Sequence, residues 1–176
     1  METLTLSQAI IKVAELEKIY RAKLNQISDV QNSTVSYILE SDGQKYQCND
    51  EFDFEKEFKE ALEIGNTIET LRTEIAKLNN ITIIDIEKED LTIQGGLNRL
   101  KRLREQVDII DMIIEQSKAS KQRRVDAAAT SVYYKVVESN FDKKDMKLLL
   151  ESINNEILAL ELAINKANNE TVITLA

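Results

Sequence analysis

Apolar residues recur along this chain at spacings of three and four in four long stretches, the signature of helices with one buried face. The first spans Leu6 to Ile27, with Ala9, Val13, Leu16, Tyr20, Leu24 and Ile27 on one side. Thr5 and Gln8 give it the T-x-x-Q form of a capping box. At ~1.5 Å per residue such a helix is about 33 Å long and needs partners along its whole length. The second runs from Phe54 to about Leu78 through Phe58, Ala61, Gly65, Ile68, Leu71 and Ile75, with Asn79-Asn80 as its stop. A third begins at a cap on Asp90 or Thr92 and carries Ile93, Leu97, Leu100, Leu103, Val107, Ile110 and Ile114. Gly95-Gly96 in its first turns costs roughly 1 kcal/mol each against Ala. The last starts after Asn140 or Asp142 and reaches about Asn168 through Met146, Leu149, Ile153, Ile157, Leu160, Ile164 and Ala167.

Between the helices the period changes to two. Val35, Tyr37 and Leu39 alternate with polar residues, Asp42-Gly43 is a favoured two-residue turn, and Lys45 to Cys48 resumes an extended pattern. This predicts a β-hairpin over 34–48, inserted between the first two helices. "ITIIDI" (81–86) is a connector with extended character, and "VYYKVV" (132–137) is strand-like within the connector 121–135. No tandem repeat and no low-complexity tract is expected. The fold expected is mainly α: one domain over 1–176, an antiparallel bundle of about four long helices with an inserted hairpin.

Composition agrees with that picture. The chain has 176 residues, 43% hydrophobic and 31% charged, with no proline and four glycines, so long helices meet few breakers. The lone Cys48 cannot form an internal disulfide, and no window approaches the roughly 18 apolar residues of a membrane span. A cytoplasmic protein is therefore the expectation. Net charge is −8, yet residues 97–147 hold 12 Lys/Arg against 8 Asp/Glu. An acidic chain with one basic stretch disfavours nucleic acid polymers and anionic membranes while leaving a local site for a small anion.

Candidate chemistry follows from what is missing. Without histidine and with one cysteine, the commonest acid-base, nucleophilic and metal-ligating groups are absent, and no enzyme is expected. The acidic clusters Asp50, Glu51, Asp53, Glu55 and Glu87, Glu89, Asp90 lack a spaced cation-binding loop and read as solvated helix starts. No cofactor is implied. The basic constellation is the candidate ligand site: Arg99 and Arg102 on the third helix, then Arg123, Arg124, Tyr133, Tyr134 and Lys135 in the connector, beside the small Ala127 to Ala129. Guanidinium groups grip phosphate with two prongs and a tyrosine ring stacks on a base. The plainer alternative is that these basics pair with acids of neighbouring helices and cover apolar stripes with their stems.

Several segments together resemble a family of small helical bacterial proteins labelled septicolysin-like. "LSQAIIKVAELEKI" (6–19) is similar to that family's opening L-S-E-A-L-x-x-R-A-D-L-Q-K, and "LNNIT" (78–82) to its Asn-containing break. "DLTIQGGLNRLKRLR" (90–104) looks like its T-L-T-x-x-x-x-x-R-D-x-L-R segment, "RRVDAAATSVYYKVV" (123–137) falls at its R-Y-S-R-S-E-I-K connector, and "LELAINKANN" (160–169) resembles its closing L-D-x-x-I-Q-x-x-N-W. Val13 stands at a usual arginine and Asn169 at a usual tryptophan. The resemblance implies an all-helical homo-oligomer and says little of activity. The Lys/Asn/Ile-rich style is similar to phage and low-GC bacterial proteins. The functions to weigh are capture of a small anionic nucleotide, in a phage setting the sequestration of a host immune signal; a purely structural or interaction protein; and a membrane-active toxin. Stripes interrupted by charge, with few aromatic anchors, make the last the weakest.

Overall fold

The computed structural model describes residues 2–48, 52–86, 89–125 and 132–175. In chain order the elements are β1 (Glu2–Thr5), α1 (Leu6–Ile27), the single-turn α2 (Val30–Ser33), β2 (Tyr37–Leu39), β3 (Lys45–Gln47), α3 (Phe54–Ile81), β4 (Ile83–Ile86), β5 (Glu89–Thr92), α4 (Ile93–Gln116), β6 (Ser120–Val125), β7 (Val132–Val137), α5 (Lys143–Glu170) and β8 (Val172–Leu175). The protein is mainly helical, as its periodicity predicts. The caps explain why the helices start where they do. Thr5 Oγ1 accepts from Gln8 N while Gln8 Oε1 accepts from Thr5 N, the full capping box. Thr92 Oγ1 takes Gly95 N at the head of α4. Asp53 and Asp142 carboxylates accept from Lys56 N and Lys144 N at the heads of α3 and α5. At its far end α3 continues beyond the expected Asn79-Asn80 stop to Ile81, because Asn80 Nδ2 donates back to the Ala76 carbonyl and satisfies the last turn.

The chain divides into two compact units, residues 1–81 with 168–176, and residues 82–167. In the first, α1 and α3 lie antiparallel, and β1 pairs antiparallel with β8 (Glu2 opposite Leu175, Thr5 opposite Val172). Leu6, Ala9, Val13, Ala61, Ile68, Leu71 and Ile173 are buried there. In the second, β4 pairs antiparallel with β5 (Ile83 opposite Thr92, Ile86 opposite Glu89) beside α4 and α5. Its core is Ile84, Ile93, Leu100, Leu103, Ile110, Ile153, Leu160 and Ile164. Not every stripe position is covered: Leu24, Phe58, Leu97 and Leu149 stay exposed.

The absence of a repeat, expected from the sequence, is corrected by this architecture. Strand, long helix, hairpin, long helix, strand occurs twice, over 2–86 and again over 89–175. "ETLTL" (2–6) and "EDLTI" (89–93) open the two copies, and "NNITIIDI" (79–86) and "NNETVITL" (168–175) close them. Burial repeats with them. Leu71 and Leu160 are both 0% exposed, and Ile84 and Ile173 both 3%. The repeat eluded the sequence because identity is confined to the strands and caps. The helices share only their apolar period, which many sequences satisfy. The hairpin over 34–48 has a counterpart in β6–β7, so it belongs to the repeating unit rather than being inserted. The strands are exchanged: β4 ends the first copy and pairs with the start of the second, while β8 returns to pair with β1.

Gly96 shows how closely α4 approaches its neighbours. A Cβ there would stand 2.7 Å from Ile84 Cδ1 and 3.2 Å from Ile164 Cδ1, both buried methyls. The equivalent position in the first copy is Ala9. At Gly65, by contrast, a Cβ would meet the Tyr20 ring at an ordinary 3.5 Å. Gly65→Ala therefore stabilises by about 1 kcal/mol through helix propensity. Gly96→Ala destabilises by about 1 kcal/mol despite the same propensity gain, because two core side chains must move. Urea unfolding of the two variants measures the opposite signs.

Candidate functional site

The basic residues singled out from sequence fall in two places on the fold. Arg99 and Arg102 occupy the first half of α4. Arg123, Arg124, Tyr133, Tyr134 and Lys135 all lie on the β6–β7 hairpin, whose second strand is the strand-like stretch 132–137 and whose first strand the sequence reading did not separate from the connector. From Arg102 to the end of α4 at Gln116 the helix rises about 21 Å before the hairpin begins. Within one chain the helix therefore does not bring the two groups together.

Arg99 is engaged. Its Nη1 donates to Glu89 Oε2 and its Nε to Glu156 Oε1, each at 2.6 Å. Hydrogen bonds to Glu89 and then Glu156 hold its proton even more firmly than a guanidinium ordinarily does. It forms one wall of a groove of about 600 Å³ that also includes Ile86, Leu148, Asn155 and Ala159. The two carboxylates beside the arginine cancel its charge, so this groove offers little to an anion. Arg104 is paired with Glu161 at 2.6 Å. Arg102 is exposed. The plainer alternative, cations paired with acids of neighbouring elements, describes Arg99 and Arg104.

The hairpin is different. Its register sets Arg123 opposite Tyr134, Arg124 opposite Tyr133 and Gln122 opposite Lys135. Alternation then puts Lys121, Arg123, Tyr134 and Val136 on one face and Gln122, Arg124, Lys135 and Val137 on the other. The Lys121 ammonium lies over the Tyr134 ring, 4.6 Å from its centroid, and Arg124 Nη2 donates to Gln122 Oε1. The side chains of 120–124 and 134–137 are exposed, so neither face is covered by a helix. The Tyr133 side chain, Ala127 to Ala129, and Asp50, Glu51 and Glu87 of the acidic clusters lie outside the described residues. Among the described residues no group of acids, cysteine or histidine is arranged to hold a metal ion.

What sequence reasoning passed over lies in the first copy. The β2–β3 hairpin repeats the same construction, with the Lys45 ammonium 4.8 Å from the Tyr37 centroid. Tyr37, Ile38, Leu39 and Tyr46 on it are all exposed, by 48–60%. Gly43 takes φ 87° at the turn, where Asp42 Oδ1 accepts from Gln44 N. The repeated "LT" and "NN-x-T" segments were the signal that could have aligned the two hairpins.

A second cavity, of about 740 Å³, lies between α1 and α3 and is lined by Glu17, Tyr20, Arg21, Leu62, Gly65 and Arg72. Glu17 is bonded to Arg72 and lies 3.9 Å from Arg21, so its charges too are matched. Nearby, Lys23 reaches both Glu57 and Glu60, its proton held more tightly by Glu57 first, and the Glu60 carboxyl is held below its usual range by Lys23. The Oδ1 atoms of Asn79 and Asn168 are buried without a hydrogen-bond partner at equivalent positions near the ends of α3 and α5; each residue is only part-buried and lines neither cavity.

The two arginine environments respond differently to truncation. Arg99→Ala leaves two carboxylates without their shared cation and lowers stability by about 1 kcal/mol, whereas Arg123→Ala leaves the thermal midpoint unchanged; differential scanning calorimetry separates them. No family model, curated protein or solved structure matches this chain.

Proposed function

We propose that this protein is a self-assembling helical interaction protein, working as a homo-oligomer whose exposed helix faces are covered by further copies. One observation carries the reading. Each unit leaves large apolar side chains on its long helices open to solvent, Ile11 at 59% and Leu62 at 51% in the first and Ile109 at 51% in the second. On α5, Leu148, Leu158 and Leu162 are 54%, 56% and 62% exposed, and a spacing of about two heptads sets Leu148 and Leu162 on one face. Completion of a four-helix bundle, within or between copies, belongs to this same proposal, as does the septicolysin-like resemblance, which implies an oligomer.

A second reading has its own observation: capture of a small phosphate-bearing ligand, such as a nucleotide, by the cationic hairpin. Arg123 and Tyr134 stand directly opposite each other there. That is the pairing of phosphate grip and ring platform such a ligand needs. Arg102 joins such a site only if another copy contributes it. A phage protein sequestering a host signalling nucleotide would use this chemistry without catalytic groups. No helix among the described residues is long and apolar enough to cross a membrane.

Sedimentation velocity tests the leading reading. The native chain is expected at a multiple of 20.1 kDa, and Leu158→Glu with Leu162→Glu is expected to lower that mass; a monomeric native chain overturns it. Titration calorimetry with cyclic and ADP-ribose-type nucleotides tests the second: binding that weakens tenfold or more in Arg123→Ala supports capture on the hairpin, and uniformly absent heats remove it.

A further inference from the structure

We infer that the two hairpins are a docking pair between copies of this chain, β6–β7 of one copy seating against β2–β3 of another. This rests on the self-assembly proposed above and names the surface that makes it. The first argument is energetic. A two-stranded ribbon with nothing on either face is marginal in water. All of β2 and β3 and the described side chains of β6 and β7 are exposed.

The second argument is charge. The strands β6 and β7 carry Lys121, Arg123, Arg124 and Lys135 and no acid. The β2–β3 ribbon, 37–47, carries Glu40 and Asp42 at its turn beside a single Lys45. The acidic turn of one ribbon thus complements the basic strands of the other, and four bases on β6–β7 disfavour that ribbon meeting its own kind.

Apolar content supplies the third. Ile38 and Tyr46 share one face of the first ribbon and Tyr134 and Val136 one face of the second, each about half exposed, an apolar centre within a charged rim. The internal repeat makes the contact self-complementary. Because each chain owns both members, every copy offers both sides of the contact.

Reversing charge tests the pairing. Arg123→Glu with Arg124→Glu is expected to lower the sedimenting mass of the full chain at low salt, with far-UV circular dichroism unchanged. Adding Glu40→Lys and Asp42→Lys to the same chain is expected to restore it. A second measurement uses the single native cysteine beside β3. Under mild oxidation, native chain mixed with Cys48→Ser/Lys135→Cys chain is expected to form a disulfide-linked heterodimer, faster than with a Cys48→Ser/Lys101→Cys control on α4. An oligomer whose mass ignores the charge reversal, with no excess of heterodimer over control, overturns the hairpin contact while leaving self-assembly standing. A native chain that is monomeric at every concentration removes both.

Discussion

Two backbone hydrogen bonds anchor the architecture: Leu6 N to the Thr171 carbonyl at 2.8 Å, and Ile93 N to the Thr82 carbonyl at 2.9 Å. Each joins the first residue of a helix to the residue preceding a strand from the other copy of the repeat. They extend the β1–β8 and β4–β5 ladders into the helix starts, so each small sheet owes one strand to each half. Neither half can satisfy its own edges. The polar backbone of β1 and β5 would lose its partners if the other half were absent, and in a buried setting that cost is severe. The repeat is therefore not two independent modules in tandem, since each completes the other.

Helix pairing carries a second layer of specification. Glu17 on α1 bonds Arg72 on α3; at the equivalent positions Arg104 on α4 bonds Glu161 on α5. The contact is the same and its polarity is reversed. Had α1 paired with α5 in the same register, two glutamates would have met, and α4 against α3 would have set two arginines together. Each exposed pair adds little stability by itself, but like charges at a helix contact discriminate between partners. Further along, Lys23 with Glu57 and Glu60 has the equivalents Ile110, Met146 and Leu149, so an ionic cluster in one helix pair is apolar in the other. These differences keep two similar helix pairs distinct during folding.

The same divergence reaches the surface. The β6–β7 strands have become basic and the β2–β3 turn carries Glu40 and Asp42, while both hairpins keep a lysine over a tyrosine ring. Arginines buttressed by acids, as at Arg99, serve the fold. Among the described residues those on the β6–β7 hairpin meet no helix-borne carboxylate and remain open to another molecule. Anion capture and the inferred hairpin contact both use this ribbon rather than the grooves between helices, where charges are already matched.

Periodicity alone determined the four long helices, and cap chemistry set their starts: Thr5 and Thr92 act as N-caps in the structure, and α1 spans Leu6–Ile27 as read. The turn at Gly43 was legible too, because glycine tolerates its left-handed backbone, but Glu40 pairs with Gln44 across a loop over 41–43 that is wider than the expected two-residue Asp42-Gly43 turn. The terminal strands, the exchange of β4 and β8, and the repeat itself came only from the tertiary structure. Four-residue strands carry too short a pattern to declare themselves, and pairing across some 170 residues depends on where helices return the chain, not on local preference. The candidate site divided along the same line. Its residue types were visible in the sequence; which arginines were already spent on Glu89, Glu156 and Glu161 was decided by helix packing, since a side chain's partner is a property of space rather than of spacing.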